Sequence, residues 1–172
     1  MSSKKPGCLA ALFGLFSNKQ TQMQEHFPYK AKQVFLSNAE ASFYHLLKKM
    51  TGEAMIIFPH IALRDLVSVS GVDKAEYYSF YNRMNRKQVD FVLADAKTLR
   101  PILVIELDDS THQRADRVER DRFVEKVLET AKIPLARVPV KQSYDARELG
   151  ELFKTTIQTN QSRIKNAKEG DL

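Results

Sequence analysis

The spacing of hydrophobic residues predicts three helices. The first begins at Ser37 or Asn38, either of which can cap a helix N-terminus, and ends at Gly52. Its apolar positions follow helical spacing and are Phe43, Leu46, Leu47 and Met50. Two further helices are predicted over residues 116–131 and 145–164, and the last carries its apolar residues along one face.

Four short apolar runs predict β-strands, at residues 54–58, 89–94, 102–107 and 135–140. The first strand is expected to stop at Pro59. The third run, ILVIEL, is continuously apolar and ends in acids, which is typical of a central strand buried on both faces. The order is therefore one helix, three strands, a helix, a strand and a last helix. This order predicts an α/β domain with a mixed central sheet flanked by helices.

The pattern predicts one folded domain, 33–164, between an N-terminal extension, 1–32, and a frayed tail, 165–172. Within the domain, residues 68–86 are polar and aromatic and predict a loop with a helical turn. The extension contains a short apolar segment, Leu9–Phe16, far below the ~20 residues that a membrane helix needs. We favour a short helix that packs on the domain or frays in solvent. A shallow anchor to a membrane or a partner protein is the alternative.

The composition is that of an ordinary globular protein, with 172 residues, 43% of them hydrophobic and 28% charged. The single cysteine, Cys8, excludes a disulfide within one chain and a cysteine-rich zinc site. It predicts a reducing, cytoplasmic compartment, with peripheral attachment at the membrane as the alternative. The net charge of +6 favours polyanionic partners such as nucleic acid, because lysine and arginine displace the counterions that phosphates hold.

Three carboxylates are predicted to converge at one end of the sheet. Asp90 lies inside an apolar strand, where a buried carboxylate is costly unless it is paired. Glu106 and Asp108 are two residues apart on the next strand, so they point to the same face. If the hairpin is symmetric about Thr98, Asp90 lies opposite Glu106 with Cβ atoms ~5 Å apart. A slip of one residue in the register would destroy this arrangement.

Carboxylates at this spacing repel one another, so the sequence predicts a positive species among them. Oxygen ligands with open positions suit Mg²⁺ or Mn²⁺. A metal ion so held can activate water and stabilise the charge that develops on a phosphate, which is phosphodiester hydrolysis in outline. An ion-pair network is the equal alternative, because Arg120, Arg122 and Lys126 on the following helix could neutralise the acids.

Two more residues are candidates for this site. His112 follows the acids by a few residues and is predicted to be a metal ligand, a general acid or base, or a phosphate contact. Glu40 is a possible additional acid, although its place in the first turn of a helix is enough to explain it. The other histidines, His26, His45 and His60, have no such neighbours and are interpreted as structural.

A basic and aromatic stretch, residues 77–87, directly precedes the hairpin. Arg83, Arg86 and Lys87 are predicted to contact a nucleic-acid backbone, while a tyrosine stacks on an unpaired base. Arg122 is a further predicted contact to nucleic acid. A packed aromatic flap is the alternative interpretation of this stretch.

The string NRKQVDFVLADAKTLRPILVIELDDSTHQRADRVERDRFVEKVLETAKIPLARVPV resembles a bacterial domain of unknown function related to the very-short-patch-repair endonucleases. These belong to the PD-(D/E)XK, or restriction-endonuclease-like, superfamily. The resemblance spans about residues 29–140. It combines an aspartate in a strand, the string E-L-D-D-x-x-H, a helix rich in arginine and aspartate, and a final R-V-P-V strand, in that order. It implies a restriction-endonuclease-like core and a metal-dependent nuclease that acts on DNA.

The resemblance also implies roles for individual residues. Asp90 and Glu106 match two metal ligands of the superfamily. His112 matches the histidine of the repair-like branch, and Glu40 matches the first-helix acid seen in many members. Asp108 stands where the superfamily usually has a lysine that positions or activates the attacking water.

The absence of that lysine leaves its role to another group, either Lys87, Lys126 or His112, or to the metal alone. Failing that, the domain binds without cutting, because the superfamily includes inactive members. The alternative function is therefore a catalytically inactive module on the same fold that binds nucleic acid or docks to a partner.

Overall fold

The computed structural model describes residues 27–108 and 115–169. The chain divides between Gln33 and Val34 into two units, and the helices and strands named below all belong to the second. The helices are α1 (Asn38–Thr51), α2 (Leu63–Leu66), α3 (Lys74–Met84), α4 (Ala115–Thr130) and α5 (Ala146–Glu169). The strands are β1 (Met55–Ala62), β2 (Gln88–Asp95), β3 (Pro101–Asp108) and β4 (Leu135–Pro139).

The four strands form one mixed sheet in the order β1-β2-β3-β4. The first three strands are antiparallel, whereas β4 runs parallel to β3. A parallel neighbour needs a crossover connection, and α4 provides it. Helices cover both faces of the sheet, so the α/β prediction with a mixed, helix-flanked sheet is confirmed.

Two apolar clusters, one on each face, hold the helices to the sheet. Side chains of α1 and α5 pack with β2, β3 and β4 on one face, in a cluster built around Phe43, Leu47, Phe91, Ile105 and Phe153. Side chains of α2, α3 and α4 pack on the other face, in a cluster built around Leu63, Met84, Val92, Val104 and Leu128. The central strands β2 and β3 are therefore buried on both sides, as the apolar run in β3 predicted.

The first helix has the caps that the sequence predicted. Ser37 is the N-cap, since its hydroxyl accepts from the N–H of Glu40 at 3.3 Å and the Glu40 carboxylate accepts from the N–H of Ser37 at 2.7 Å. This reciprocal pair is a capping box. Gly52 ends the helix with φ of 55°, a left-handed value that glycine adopts without the strain of a Cβ.

The sequence predicted that the first strand stops at Pro59. This prediction was wrong, because the strand continues to Ala62. The physical reason is its place at the edge of the sheet. Within the described residues one side of the strand pairs with no other strand, so a proline there removes no needed hydrogen bond. His60, the next residue, has φ of 54°. Such a value is uncommon for a residue with a side chain, so the strand carries a local distortion at this position.

The prediction of a loop with a helical turn at 68–86 was wrong for most of that segment, because it contains α3. The helix begins with a second capping box, in which Asp73 accepts from the N–H of Glu76 at 2.9 Å. The D-x-x-E spacing of this capping box was present in the sequence. The aromatic residues of α3, however, hid the helical spacing of its apolar positions. The last helix, α5, also runs further than predicted, to Glu169.

Replacing Asp73 with alanine is expected to loosen α3 by about 1 kcal/mol, because the helix loses its N-cap acceptor. Amide hydrogen exchange will be faster in the first turn of α3 and unchanged in α1, whose own cap is intact. If the first turn of α3 exchanges at the same rate in the variant as in the wild type, the capping role of Asp73 is contradicted.

Within the described ranges, no helix combines the length and apolar character needed to cross a bilayer. The apolar segment Leu9–Phe16, for which a membrane or partner anchor was one interpretation, lies outside the described residues.

Candidate active site

The hairpin of β2 and β3 has the register that the sequence predicted. Its pairs are centred on Thr98, apart from a bulge next to the turn, and are Phe91–Ile105, Val92–Val104 and Leu93–Leu103. Asp95 stabilises the turn, since its Oδ1 accepts from the N–H of Thr98 at 2.7 Å and of Lys97 at 3.1 Å. These hydrogen bonds, those of Thr98 foremost, lower the pKa of Asp95. Continued by one residue, this register would pair Asp90 with Glu106 on the neighbouring strand.

Asp90 lies where β2 and β3 part. The ladder between the strands ends at the Phe91–Ile105 pair, and the N–H of Leu107 then donates to Asp90 Oδ2 at 2.7 Å. The side chain thus replaces a backbone acceptor at the end of the ladder. Asp90 therefore has a structural role of its own, besides the chemical role predicted for it.

Four ionisable residues, one from each strand, occupy one row across the sheet. The pairs on either side place His60 of β1 across from Asp90. Glu106 pairs directly with Arg137 of β4 in the parallel ladder. Beside them in the central strands, Val89, Phe91 and Ile105 are apolar and buried. Charged groups inside an apolar sheet cost free energy, so a whole row of them indicates a role beyond packing.

Glu106 is the residue of this row most withdrawn from solvent. It is 8% exposed. Among the side chains that the structure describes, it is the charged one that counts as buried. By the alternation of a strand it shares a face with Val104, which packs in the cluster beneath α4. A carboxylate held at this depth has few conformations open to it, which suits a ligand that must be in place before its partner arrives.

Arg137 brings a positive charge to the acids. Its Nη1 lies 3.6 Å from Asp108 Oδ1 and 4.0 Å from Asp121 Oδ2. Its Nη2 donates to the backbone carbonyl of Asp121 in α4 at 3.4 Å. For an ion-pair network the sequence predicted cations from the helix, and Arg137 of β4 was not among them. The side chain of Arg120, one of the predicted cations, lies outside the described part of the chain. Of the helix residues predicted for that role, Lys126 pairs with Glu129 at 2.9 Å and Arg122 is exposed.

The donor atoms at this end of the sheet are carboxylate oxygens, the kind that Mg²⁺ and Mn²⁺ prefer. Among the described residues, no three acidic, histidine or cysteine side chains are grouped so as to hold an ion. Asp90 and Glu106 still fit Mg²⁺, which commonly takes one or two carboxylates and completes its shell with water and phosphate. The metal roles of Asp90, Glu106 and Asp108 stay predictions, and His112 lies outside the described residues.

Glu40, the predicted additional acid, is hydrogen-bonded to His60. Its Oε1 lies 2.9 Å from His60 Nε2, and both side chains are about one-fifth exposed. Burial raises the pKa of Glu40, but the hydrogen bonds from His60 and Ser37 outweigh it, so the pKa is lowered overall. The ring of Phe35 also lies against His60, with centroids 5.5 Å apart. The structure therefore brings together two residues that the sequence analysis treated separately.

Replacing Glu40 with glutamine is expected to lower stability more at pH 7 than at pH 3. A carboxylate whose folded pKa lies below its unfolded value stabilises the fold above the unfolded pKa, and this contribution disappears as the pH falls through the folded pKa. Urea unfolding of both proteins at the two pH values measures the effect. Glu151→Gln, at an exposed position of α5, controls for the loss of one negative charge. An equal deficit at both pH values would contradict the stabilising role of the ionised Glu40 carboxylate.

The predicted nucleic-acid contacts lie in and just beyond α3, with one on α4. Arg83 packs its guanidinium over the ring of Phe123, 4.6 Å from the centroid, and remains exposed at its edge. Arg86 and Arg122 are exposed, and Lys87 is half-buried. Whether these residues touch nucleic acid stays a prediction, and the structure leaves their side chains accessible for it.

The aromatic residues of α3 are less buried than a packed flap requires. Tyr77 stacks on Tyr81 with ring centroids 5.9 Å apart and meets Tyr78 edge-on at 5.6 Å. Tyr78 is 54% exposed and Phe80 40% exposed. The tyrosine rings thus contact one another along the helix, while Tyr78 and Phe80 remain exposed to solvent.

Sequence reasoning did not single out Arg137 or Asp121, and it left His60 as structural. The signal for Arg137 was available, because it is a charged residue inside the apolar run LARVPV, as Asp90 is inside VDFVLA. Asp121 and His60 gave no such signal, because their positions depend on how the helices cross the strands.

Comparison with known proteins identifies the family. The family model described as protein of unknown function DUF2726 matches residues 31–156, which is well over half of the chain. This match covers the elements from α1 to β4, together with the first half of α5. No curated protein matches the chain, and no solved structure does. The chain therefore belongs to the DUF2726 family of proteins of unknown function.

Proposed function

We propose that this protein is a metal-dependent nuclease that hydrolyses phosphodiester bonds in DNA, built on a restriction-endonuclease-like core. The observation that carries the proposal is the hydrogen bond from the Leu107 N–H to Asp90 Oδ2, just beyond a hairpin register that would pair Asp90 with Glu106 if it continued by one residue. The element order supports it, since the helix, three strands, helix and strand of the expected core follow one another, with α2 and α3 inserted after β1.

Asp90 and Glu106 would hold the ion, Mg²⁺ or Mn²⁺, with Asp108 as the predicted third ligand. A bound ion would activate water and stabilise negative charge on the phosphate. The chain itself orients the ligands. The N–H of Leu107 fixes one oxygen of Asp90, and burial restricts Glu106. Ligands oriented before binding make a site more effective, because no ordering is left for the reaction itself.

The partner surface in this proposal is α3 with the residues that follow it. Arg83, Arg86 and Lys87 would contact the phosphate backbone, and the exposed rings of α3 offer stacking faces for unpaired bases. Residue 87 directly precedes β2, so the basic residues lead into the strand that carries Asp90. The net charge of +6 favours the approach of a polyanion.

The experiment that tests the proposal is a cleavage assay of the wild-type protein on linear, nicked, mismatched and single-stranded DNA. We expect products with Mg²⁺ or Mn²⁺ and none when EDTA is in excess. Products that form equally well in EDTA would contradict a metal-dependent reaction.

A second function, a binding module without catalysis, is favoured by one observation. Asp108, where the superfamily usually has a lysine, contacts Arg137 and so already has a positive partner. This alternative predicts DNA binding that weakens steeply with salt and no cleavage with any metal. Arg86→Gln would then reduce the slope of log K against log[salt] by about 1, as one lost phosphate contact should. Lys97→Gln, in the hairpin turn, is the matched control.

A further inference from the structure

Arg137 is the feature of the site that neither the strand pattern nor the predicted ligand set explains. It is the only charged residue of β4 and lies next to Glu106 in the parallel ladder. Its side chain is 29% exposed and reaches over the end of the sheet to Asp108 and to α4. A side chain in this position can face both the acids and the solvent in front of them.

The contacts of Arg137 with the acids are loose. Arginine and carboxylate in a tight pair lie ~2.8 Å apart and usually share two hydrogen bonds. In this protein the distances are 3.6 Å to Asp108 and 4.0 Å to Asp121, and Asp108 is about half exposed. A long, partly exposed pair of this kind contributes little to stability. Arg137 can therefore exchange Asp108 for another anion at small cost.

A second, long contact links Arg137 to the backbone of α4. The Asp121 carbonyl accepts from Nη2 at 3.4 Å, and this acceptor belongs to the backbone of α4 rather than to a mobile side chain. The guanidinium has five N–H donors, so this bond leaves others open toward the acids. Its planar fork matches two oxygens of a phosphate.

We propose that Arg137 is the phosphate-binding residue of the site and exchanges its contact with Asp108 for a phosphate oxygen of bound DNA. The inference rests on the proposed nuclease function and names a residue of that same site. Carboxylates alone would repel the DNA phosphate, and Arg137 supplies a cation of this chain within 4.0 Å of two of them. The superfamily usually has a positively charged lysine at the position of Asp108. In this chain Arg137 would provide that positive charge instead.

The test compares Arg137→Gln and Arg137→Lys with the wild type, with Arg100→Gln as the control for losing one positive charge. Arg100 is exposed at the turn, at the other end of β3 from Glu106. Three quantities are measured: kcat and KM for DNA cleavage, the Kd for a short DNA duplex in EDTA, and the Kd for Mn²⁺ alone.

We expect Arg137→Gln to lose about ten- to a hundredfold in kcat, as for one lost hydrogen bond to a charged group. It should bind Mn²⁺ at least as tightly as the wild type, because a competing positive charge is gone. Arg137→Lys should recover part of kcat, and Arg100→Gln should match the wild type. A weaker Mn²⁺ affinity together with a lower melting temperature would overturn the proposal, since Arg137 would then merely tie β4 to α4.

The failure of the two proposals can be told apart. If the wild type does not cleave DNA, the nuclease proposal fails, and the duplex Kd in EDTA then decides the role of Arg137. A Kd weakened by Arg137→Gln and not by Arg100→Gln supports a phosphate contact in a binding module. A Kd equal in all the variants overturns the role of Arg137.

Discussion

On the proposed nuclease function, we expect that replacing Asp90 with asparagine, or Glu106 with glutamine, reduces Mg²⁺-dependent DNA cleavage by at least about a hundredfold. A metal ion contributes several kcal/mol to stabilising the charge of a phosphoryl transition state, and each ~1.4 kcal/mol is a factor of ten in rate. Either change removes a negative charge that would hold the ion. Cleavage rates at saturating DNA, measured over a range of Mg²⁺ concentrations, give the size of the loss.

The asparagine variant is chosen because Asp90 also has a structural role. Its carbonyl oxygen can still accept from the N–H of Leu107, so the end of the β2–β3 ladder is kept while the charge is lost. The matched control is Asp95→Asn, in which a carboxylate of the same hairpin changes in the same way at the opposite end of β2. This control should cleave like the wild type.

Two outcomes would count against the site. Full activity in both Asp90→Asn and Glu106→Gln would place the chemistry elsewhere. Loss of activity in Asp95→Asn to the same extent would show that the hairpin, rather than the charge at its end, is what the reaction needs. Circular dichroism of each variant, compared with the wild type, shows whether the fold is intact.

Replacing Phe91 with alanine will destabilise the domain by about 3–5 kcal/mol, a large part of the total stability of a typical domain. Phe91 is fully buried in the central strand β2 and packs against Phe43 of α1, with ring centroids 5.7 Å apart. Phe43 in turn meets Tyr144 edge-on at 5.1 Å. The substitution opens a cavity between the sheet and α1 and also breaks this aromatic chain.

Unfolding in guanidinium chloride, followed by circular dichroism, measures the loss in free energy. Tyr78→Ala is the control, because that ring is mostly exposed on α3 and its removal should change stability by no more than about 0.5 kcal/mol. A loss below about 1.5 kcal/mol for Phe91→Ala would mean that the surrounding side chains collapse into the space. Such a result would contradict the prediction that Phe91 contributes a large part of the stability of the core between the sheet and α1.

The two predictions concern adjacent residues. Phe91 is expected to matter for stability and Asp90 for the proposed activity. Phe91 points into the apolar cluster beneath α1, and Asp90 ends the ladder just before it. The rigid, buried strand holds the carboxylate in place, which is how a stable core supports a precise site. Stability and activity should therefore respond separately to changes at these two neighbouring positions.

Much of the fold follows from local patterns in the sequence. The spacing of Phe43, Leu46, Leu47 and Met50 with the cap at Ser37 predicts α1, since capping and apolar periodicity act within one helix. The hairpin register follows from a turn centred on Thr98, because side chains alternate along strands and a one-residue slip would expose the apolar face. These features depend on neighbours in the chain.

The sequence by itself determined the α/β class and the register of the β2–β3 hairpin from Phe91–Ile105 to Leu93–Leu103. Only the tertiary structure decided that Pro59 lies in an edge strand, that His60 meets Glu40, and that Arg137 reaches Asp108 and Asp121. Each of these depends on which elements lie side by side. That arrangement is settled by burying apolar faces from distant parts of the chain, and no local spacing encodes it.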